Sequence, residues 1–195
     1  MNLVEVKRIS YYPPSKGYAV LLFDEVSNKN LPIIVGSSEA QAIALYLENV
    51  DMPRPMTHDL IFNIIEDFKS EVVKIIIARE SNGTIFAEIH LLNSQIGSII
   101  VDSRPSDSIA IALRSSAPIY VSDEVMDRVG ITNDSDKNKE VVKPINSKSN
   151  KFETSEEIVL ENLNEALEKA ISEEEYEVAA RLRDRIKQLE KKSTS

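Results

Sequence analysis

Cysteine and tryptophan are absent from the 195 residues, histidine occurs only at positions 58 and 90, and glycine occurs five times. Without a thiol there is no disulfide scaffold, no thiolate metal site, no iron-sulfur cluster and no cysteine nucleophile. No apolar run approaches the ~18 residues of a membrane span. The first ten residues mix apolar side chains with Glu5, Lys7 and Arg8, so they lack the apolar core of a signal peptide. The expectation is a soluble, cytoplasmic protein with no membrane contact. Positive charge is also scarce: 23 Lys and Arg face 32 Asp and Glu, giving a formal net charge of -9. Residues 1–130 carry 11 basic against 17 acidic side chains, and residues 131–195 carry 12 against 15. Neither part is a basic module of the kind that binds nucleic acid mainly by neutralising phosphates. Any nucleic-acid role must rest on a local site.

What is present is ordinary globular composition, 42% hydrophobic and 28% charged, with the apolar residues gathered in runs. The length suits one full domain and a small appendage. Residues 2–35 read as a strand meander, with turns at Pro13-Pro14-Ser15-Lys16-Gly17 and at Ser27 to Asn30. Gly36-Ser37-Ser38 opens a helix, with Ser38 and Gln41 spaced as a capping box, that ends near Asn49. The Pro53-Arg54-Pro55 segment cannot be helical. The next helix is predicted to start at Thr57 as N-cap and to bury Leu60, Ile61, Ile64, Ile65 and Phe68. Three strands follow, 72–79, 84–92 and 96–101, the first two joined by Asn82-Gly83, a strong hairpin signal. A helix over 106–115, a strand over 118–121 and a helix capped by Ser122 and ending at Gly130 complete the pattern. Strands and helices in blocks predict an α+β fold with a mostly antiparallel sheet and packed helices over residues 3–130.

Residues 131–153 are rich in Asn, Asp, Ser and Lys and read as a polar linker. Residues 154–192 turn helical, with capping-box spacings at Thr154/Glu157 and Ser172/Glu175 ahead of two helices. Leu160, Leu163, Leu167 and Ala170 on the first, and Ala179, Leu182, Ile186 and Leu189 on the second, each form one narrow apolar seam. A hairpin this short buries little on its own. Its seam, with Leu163, Leu167, Leu182, Ile186 and Leu189, is therefore expected to dock on a protein partner. The acidic runs Asp134 to Asp136 and Glu173 to Glu175 are expected to be solvated.

Three blocks in order resemble the bifunctional nuclease family: Leu31-Pro32-Ile33-Ile34-Val35-Gly36 with Glu39-Ala40; Arg54-Pro55 with Thr57-His58-Asp59; and Asp102-Ser103-Arg104-Pro105-Ser106-Asp107 with Ile109 to Arg114. The tail resembles the UVR motif, the helical hairpin of bacterial excision-repair subunits, in Leu163, Leu167, Ala170, Glu173, Tyr176, Glu177, Ala179 to Asp184, Ile186 and Leu189. The resemblance implies cleavage of RNA and DNA, and recruitment to another protein through the hairpin. The polar residues of the blocks then become candidates: His58, Asp59, Asp102, Asp107 and Glu39 as catalytic groups, and Arg104, Arg114 and Arg54 for phosphate. Phosphodiester cleavage needs an activated water, charge stabilisation at phosphate and a proton for the leaving oxygen, and this set contains the ingredients. Histidine, which changes charge near neutral pH, makes His58 the first choice for proton transfer.

The carboxylates are hard oxygen ligands suited to Mg²⁺ or Mn²⁺, although their spacing matches no metal motif. Each block also has a structural reading. Thr57 and Asp59 suit a helix start, and so do Pro105 and Asp107; Asp107 and Arg114 are placed for an ion network along one helix. His90 is expected on the outer face of its strand. The competing functional class is a non-enzymatic regulatory or adaptor protein acting through a homo-oligomer and the hairpin. The net charge favours that class.

Overall fold

A computed structural model describes residues 1–50, 52–132, 155–172 and 176–193. The first strands, β1 (Asn2–Tyr12), β2 (Gly17–Asp24) and β3 (Lys29–Val35), form the expected meander, with a 3-10 turn at Pro13–Ser15. Helices α1 (Ser37–Leu47) and α2 (Thr57–Asp67) follow, then a second meander of β4 (Ser70–Ser81), β5 (Thr84–Asn93) and β6 (Gly97–Ser103). The β4–β5 turn places both Asn82 and Gly83 at positive φ, 53° and 79°, as a tight hairpin with right-handed strand twist requires. Helix α3 (Pro105–Ser115), the short strand β7 (Ile119–Val121), α4 (Asp123–Val129) and β8 (Ile131–Thr132) complete the sheet domain. Ser122 caps α4 as expected, its Oγ accepting from Val125 N–H at 3.2 Å.

The two meanders are joined by β7, which pairs antiparallel with β1 through Leu3 and Tyr120 and parallel with β4 through Ile76 and Tyr120. The result is one eight-stranded sheet in the order β6-β5-β4-β7-β1-β2-β3-β8. Every neighbouring pair except β4–β7 is antiparallel, so the α+β expectation holds. Helices α1 and α3 supply Ile43, Leu45, Ile109 and Ile111 to the core, interleaved with Ala40, Ala42, Ala44, Ala110 and Ala112, whose small side chains let the two helices pack closely. Truncating a side chain such as Ile109 to Ala would cost about 2–5 kcal/mol.

Three expectations about the sheet domain need correction, besides the Ser38–Gln41 capping box, which does not form because Gly36 is the N-cap of α1 and no side chain caps it. The cap of α2 is Met56 rather than Thr57; the helix start is held by Asp59, whose Oδ2 accepts from Met56 N–H at 2.7 Å. Helix α2 also turns away from most of its predicted stripe: Leu60, Ile61, Ile64 and Phe68 are exposed, and of the five only Ile65 faces the protein, together with His58 and Phe62. These three follow one another at four and three residues, so they share a face. Polar attachments of the first turn, described below, set the helix's rotation against its apolar stripe. Thirdly, residues 131 and 132 are not linker: β8 pairs with Lys29 and Asn30 of β3. The rest of the predicted linker, the residues Thr154 and Glu175 of the two capping boxes, and both acidic runs lie outside the described residues.

The tail forms α5 (Ser155–Ser172) and α6 (Tyr176–Ser193), packed against each other. Leu163, Ala170, Ala179, Leu182, Ile186 and Leu189 are buried, and Leu167 is half-buried. The seam was expected to stay exposed for a partner. Instead α5 packs on α1 and β1, and Val159, which no seam included, is fully buried beside Leu163. Arg185 of α6 adds a polar tie to the end of α1, donating to the carbonyl oxygens of Glu48 at 3.1 Å and Asn49 at 2.7 Å. No helix of the described residues is long and apolar enough to cross a membrane.

Candidate active site

Three helix starts converge beside the sheet, and each brings an acidic side chain in its first turn: Glu39 on α1, Asp59 on α2 and Asp107 on α3. Carboxylates at these positions complement the positive ends of the helix dipoles. Arg104 occupies the N-cap position of α3, with Pro105 as the first helical residue, and links two of the helices. Its Nε and Nη2 donate to Asp107 Oδ2 and Oδ1 at 2.8 and 3.1 Å, a bidentate fork, while Nη1 donates to Glu39 Oε1 at 3.0 Å. His58 Nε2 lies 3.1 Å from Asp107 Oδ1. The continuous chain of contacts is therefore Glu39, Arg104, Asp107, His58.

Burial divides the roles within this chain. The His58 side chain is 11% exposed and Asp107 28%, whereas Arg104 is 67% exposed and reaches into solvent. Burial pushes the Asp107 carboxyl up, but the hydrogen bonds and charges of Arg104 and His58 together outweigh it and hold Asp107 below the usual carboxylate range. The same fork raises Arg104 above its ordinary value, chiefly through Asp107. With Nε2 carrying the proton toward Asp107, Nδ1 of His58 is left as a base, and Nδ1 makes no hydrogen bond among the described residues. An aspartate that orients an imidazole beside an exposed guanidinium is an arrangement suited to proton transfer at a bound phosphate.

A second network adjoins the first through α2, where Asp59 follows His58. Arg114 Nε donates to Asp59 Oδ1 at 2.5 Å, and its other nitrogens donate to the Ala110 carbonyl at 2.9 Å and to the Ala42 carbonyl at 3.3 Å. The Arg114 side chain is only 7% exposed. Its donors are directed at backbone and carboxylate within the protein, so it ties α1, α2 and α3 together, whereas Arg104 is the exposed cation of the cluster. Asp59, with one oxygen on Met56 N–H and the other on Arg114, is likewise a fastener of the helix start.

Asp102 and Arg54 are not brought into the cluster. On β6 the Ser103 hydroxyl meets the Ser108 hydroxyl of α3, so Ser103 faces the helices and its neighbour Asp102 faces the opposite side of the sheet. Asp102 is exposed there, across from Glu88 in register. Arg54 is exposed in the α1–α2 connection and makes no polar contact among the described residues. His90 is on the outer face of β5, 3.1 Å from Glu88 Oε2. Among the described residues, no three His, Asp or Glu side chains come together as metal ligands. Glu39 and Asp107 both accept from Arg104, and Asp59 from Arg114, so these residues do not form a protein-built cation cage, and no step below runs through a metal.

Sequence reasoning missed a cavity of about 370 Å³ beside the Asp59–Arg114 pair, lined by residues that include Tyr46, Met52, Met56, Phe62 and Asn63. Tyr46 lies two turns beyond Glu39 on α1, and Phe62 and Asn63 lie one turn beyond Asp59 on α2. The signal was their helical spacing from the block residues, but Phe62 and Asn63 sit among stronger apolar positions that drew the stripe elsewhere.

The chain is similar to known proteins along both of its parts. The family model described as the bifunctional nuclease domain matches residues 20–134, and that of the UvrB/uvrC motif matches residues 157–192. An uncharacterized protein of Mycobacterium tuberculosis is 38% identical over 131 residues, covering 67% of this chain and 77% of its own. Bifunctional nuclease 2 of Arabidopsis thaliana is 29% identical over 107 residues, 53% of this chain and 32% of its own. Bifunctional nuclease 2 of Oryza sativa subsp. japonica is 32% identical over 104 residues, 52% and 32% of the two chains. The chain thus spans about a third of the plant relatives. The matched region holds Glu39, His58, Arg104 and Asp107 on one sheet-and-helix framework, and this protein belongs to the bifunctional nuclease domain family, with a UvrB/uvrC motif at its C-terminal end.

Proposed function

We propose that the protein is a cytoplasmic nuclease that hydrolyses phosphodiester bonds of RNA and DNA with low sequence specificity. The observation that carries this reading is the Glu39–Arg104–Asp107–His58 array, in which an exposed guanidinium stands next to an aspartate-oriented imidazole. A phosphate approaching Arg104 competes with Glu39 and Asp107 for its donors, and Arg104 can exchange one internal carboxylate for the phosphate because its side chain is on the surface. The array stands at the start of α3, where free backbone N–H groups add to the attraction for an anion. His58 Nδ1 takes the proton of the attacking water, and Asp107 stabilises the imidazolium that forms; the same proton is then available to the departing oxygen. Arg104 stabilises the charge that builds on the phosphate oxygens. Mg²⁺ or Mn²⁺ would be held by substrate phosphate together with one of the carboxylates, since no three protein ligands come together among the described residues.

No group in this mechanism reads a base edge, which supports low sequence specificity. Recruitment by the hairpin remains part of the proposal, but through its outward surface. The seam is engaged inside the molecule, whereas Ile171 near the end of α5 and Tyr176 at the start of α6 are exposed. Self-association is assigned to α2, whose Leu60, Ile61, Ile64 and Phe68 form an outward apolar stripe of a kind soluble proteins rarely leave open. The test is cleavage of single-stranded RNA and DNA by the wild type beside His58→Ala, Asp107→Asn and Arg104→Ala. Loss by two orders of magnitude or more in each supports the site, while equal activity in all four proteins rejects it. The adaptor reading rests on the net charge of -9 and predicts no cleavage by any of them.

A further inference from the structure

The cavity bounded by the ends of α1 and the start of α2 has a chemistry distinct from that of the Arg104 array. Much of its wall is apolar or aromatic, with Asp59, Asn63 and Arg114 as the polar part: Leu45 and Val50 are buried beneath it, and Met52, Met56, Tyr46 and Phe62 surround it. The Arg114 guanidinium lies 5.7 Å from the centre of the Tyr46 ring, so a flat cationic surface adjoins an aromatic one. Among the described residues Arg114 is the only cation lining the cavity, and it is already donating to Asp59, Ala42 and Ala110. Asp59 itself lines the wall, so an anion entering here meets a carboxylate and no free cation. A neutral, flat, polar-edged ring meets the reverse: stacking surfaces, and the exposed side-chain amide of Asn63, which has no hydrogen-bond partner among the described residues.

We propose that this cavity is a nucleobase subsite, receiving an unstacked base of the strand whose phosphate lies against Arg104. The proposal rests on the nuclease reading and deepens it. Asp59, which borders the cavity, directly follows His58, which faces the array, so the first turn of α2 serves both places. A volume of about 370 Å³ falls at the small end of ligand sites, suitable for one base with part of its sugar. The proposal also answers the difficulty posed by charge. A protein of net charge -9 gains little from long-range attraction to phosphates, whereas stacking an unpaired base on the Tyr46 and Phe62 rings works without net positive charge. It requires a base free of its duplex partner, so it selects single-stranded substrate. An exposed amide that presents both a donor and an acceptor suits all four bases, in keeping with low sequence specificity.

The four methionines supply a probe that does not depend on activity. Met52 and Met56 line the cavity, whereas Met126 is buried away from it and Met1 is at the chain start. Full-length protein labelled at the methionine methyl groups is titrated by NMR with adenosine, cytidine and ribose 5-phosphate. The expected result is a saturable shift of Met52 and Met56 with both nucleosides, none with ribose 5-phosphate, and an affinity weakened about tenfold in Asn63→Ala. Absence of a Met52 or Met56 shift with nucleosides, or a shift with ribose 5-phosphate alone, overturns the subsite. A second arm compares cleavage of an oligonucleotide with that of the same strand lacking one base beside the scissile phosphate. Slower cleavage of the abasic strand supports the subsite. Equal cleavage overturns it and leaves the nuclease reading standing. Nucleoside-dependent shifts without cleavage of either strand support the subsite and reject the nuclease reading.

Discussion

Arg114 and Asp59 form an enclosed ion pair that joins α3 to α2, Nε to Oδ1 at 2.5 Å, with the Arg114 side chain only 7% exposed. Arg104, ten residues earlier, pairs with Asp107 at 2.8 Å but is 67% exposed. The two arginines therefore separate by stability and activity. Arg114→Met leaves one oxygen of the half-buried Asp59 without its partner and removes the side-chain tie to the Ala42 carbonyl of α1, and should cost about 2–3 kcal/mol in urea denaturation. Arg104→Ala removes only solvent-screened pairs, should cost at most about 1 kcal/mol, and should abolish most cleavage. If Arg104→Ala proves the more destabilising of the two, the division between fastener and phosphate-facing cation is wrong.

The Asp107 carboxyl is held below its ordinary value despite burial, because Arg104 and His58 favour its charged form. A depressed folded-state pKa means that the unfolded chain binds the proton more readily. The stabilisation is therefore complete above the unfolded value of about 3.9, and it is lost as pH falls through the lower folded value. Comparing thermal unfolding of wild type and Asp107→Asn should show the wild type ahead at pH 6, with the gap narrowing below about pH 4. A gap that stays constant down to pH 2.5 would show that the Asp107 charge contributes nothing to the fold.

Much of the sheet was legible in the sequence because strand alternation and turn chemistry are local: Asn82-Gly83 fixed one hairpin and Ser122 one helix start. The position of β7 was not, because its three residues carry no record of pairing with β1 on one side and β4 on the other. Helix α2 failed for a different reason. Its apolar pattern is strong, but His58 and Asp59 anchor its first turn to α3 and thereby fix which face points inward. Of the candidate residues, Glu39, His58, Arg104 and Asp107 do meet, although they come from three separate blocks. Asp102 fell away because strand alternation places it opposite Ser103, and Arg114 changed role because only the fold reveals that its donors are directed inward.

The buried hairpin seam gives an expectation different from simple capture of a partner. Leu182 is buried on α6, which packs on α5, so Leu182→Asp places an unpaired carboxylate in an apolar contact and should part α6 from α5 and loosen the hold of α5 on α1. Limited proteolysis should then cut within 155–193 at least tenfold faster than in wild type, which corresponds to about 1.4 kcal/mol lost from the docked state. The sheet domain's cooperative thermal transition should persist at a lower temperature. Unchanged protection of the tail would mean that the hairpin's stability does not depend on this packing.

The outward stripe of α2 makes the last prediction, because exposure and hydrophobicity have opposite consequences for a monomer and for an assembly. Ile64 is half-exposed and Phe68 more so, at 74%, so a charge at either position costs an isolated chain little, within about 0.5 kcal/mol. In a self-associated form the same charge is desolvated against an apolar neighbour, and a symmetric contact imposes that penalty on both copies. Sedimentation of wild type across a range of concentrations should therefore show a reversible oligomer, and Ile64→Asp should move it to monomer with its far-UV spectrum unchanged. Thermal stability should also rise with protein concentration in the wild type and not in the variant, since association favours the folded state by mass action. A wild type that sediments as a monomer at every concentration would remove α2 as a self-association surface and leave its exposed stripe for a different protein.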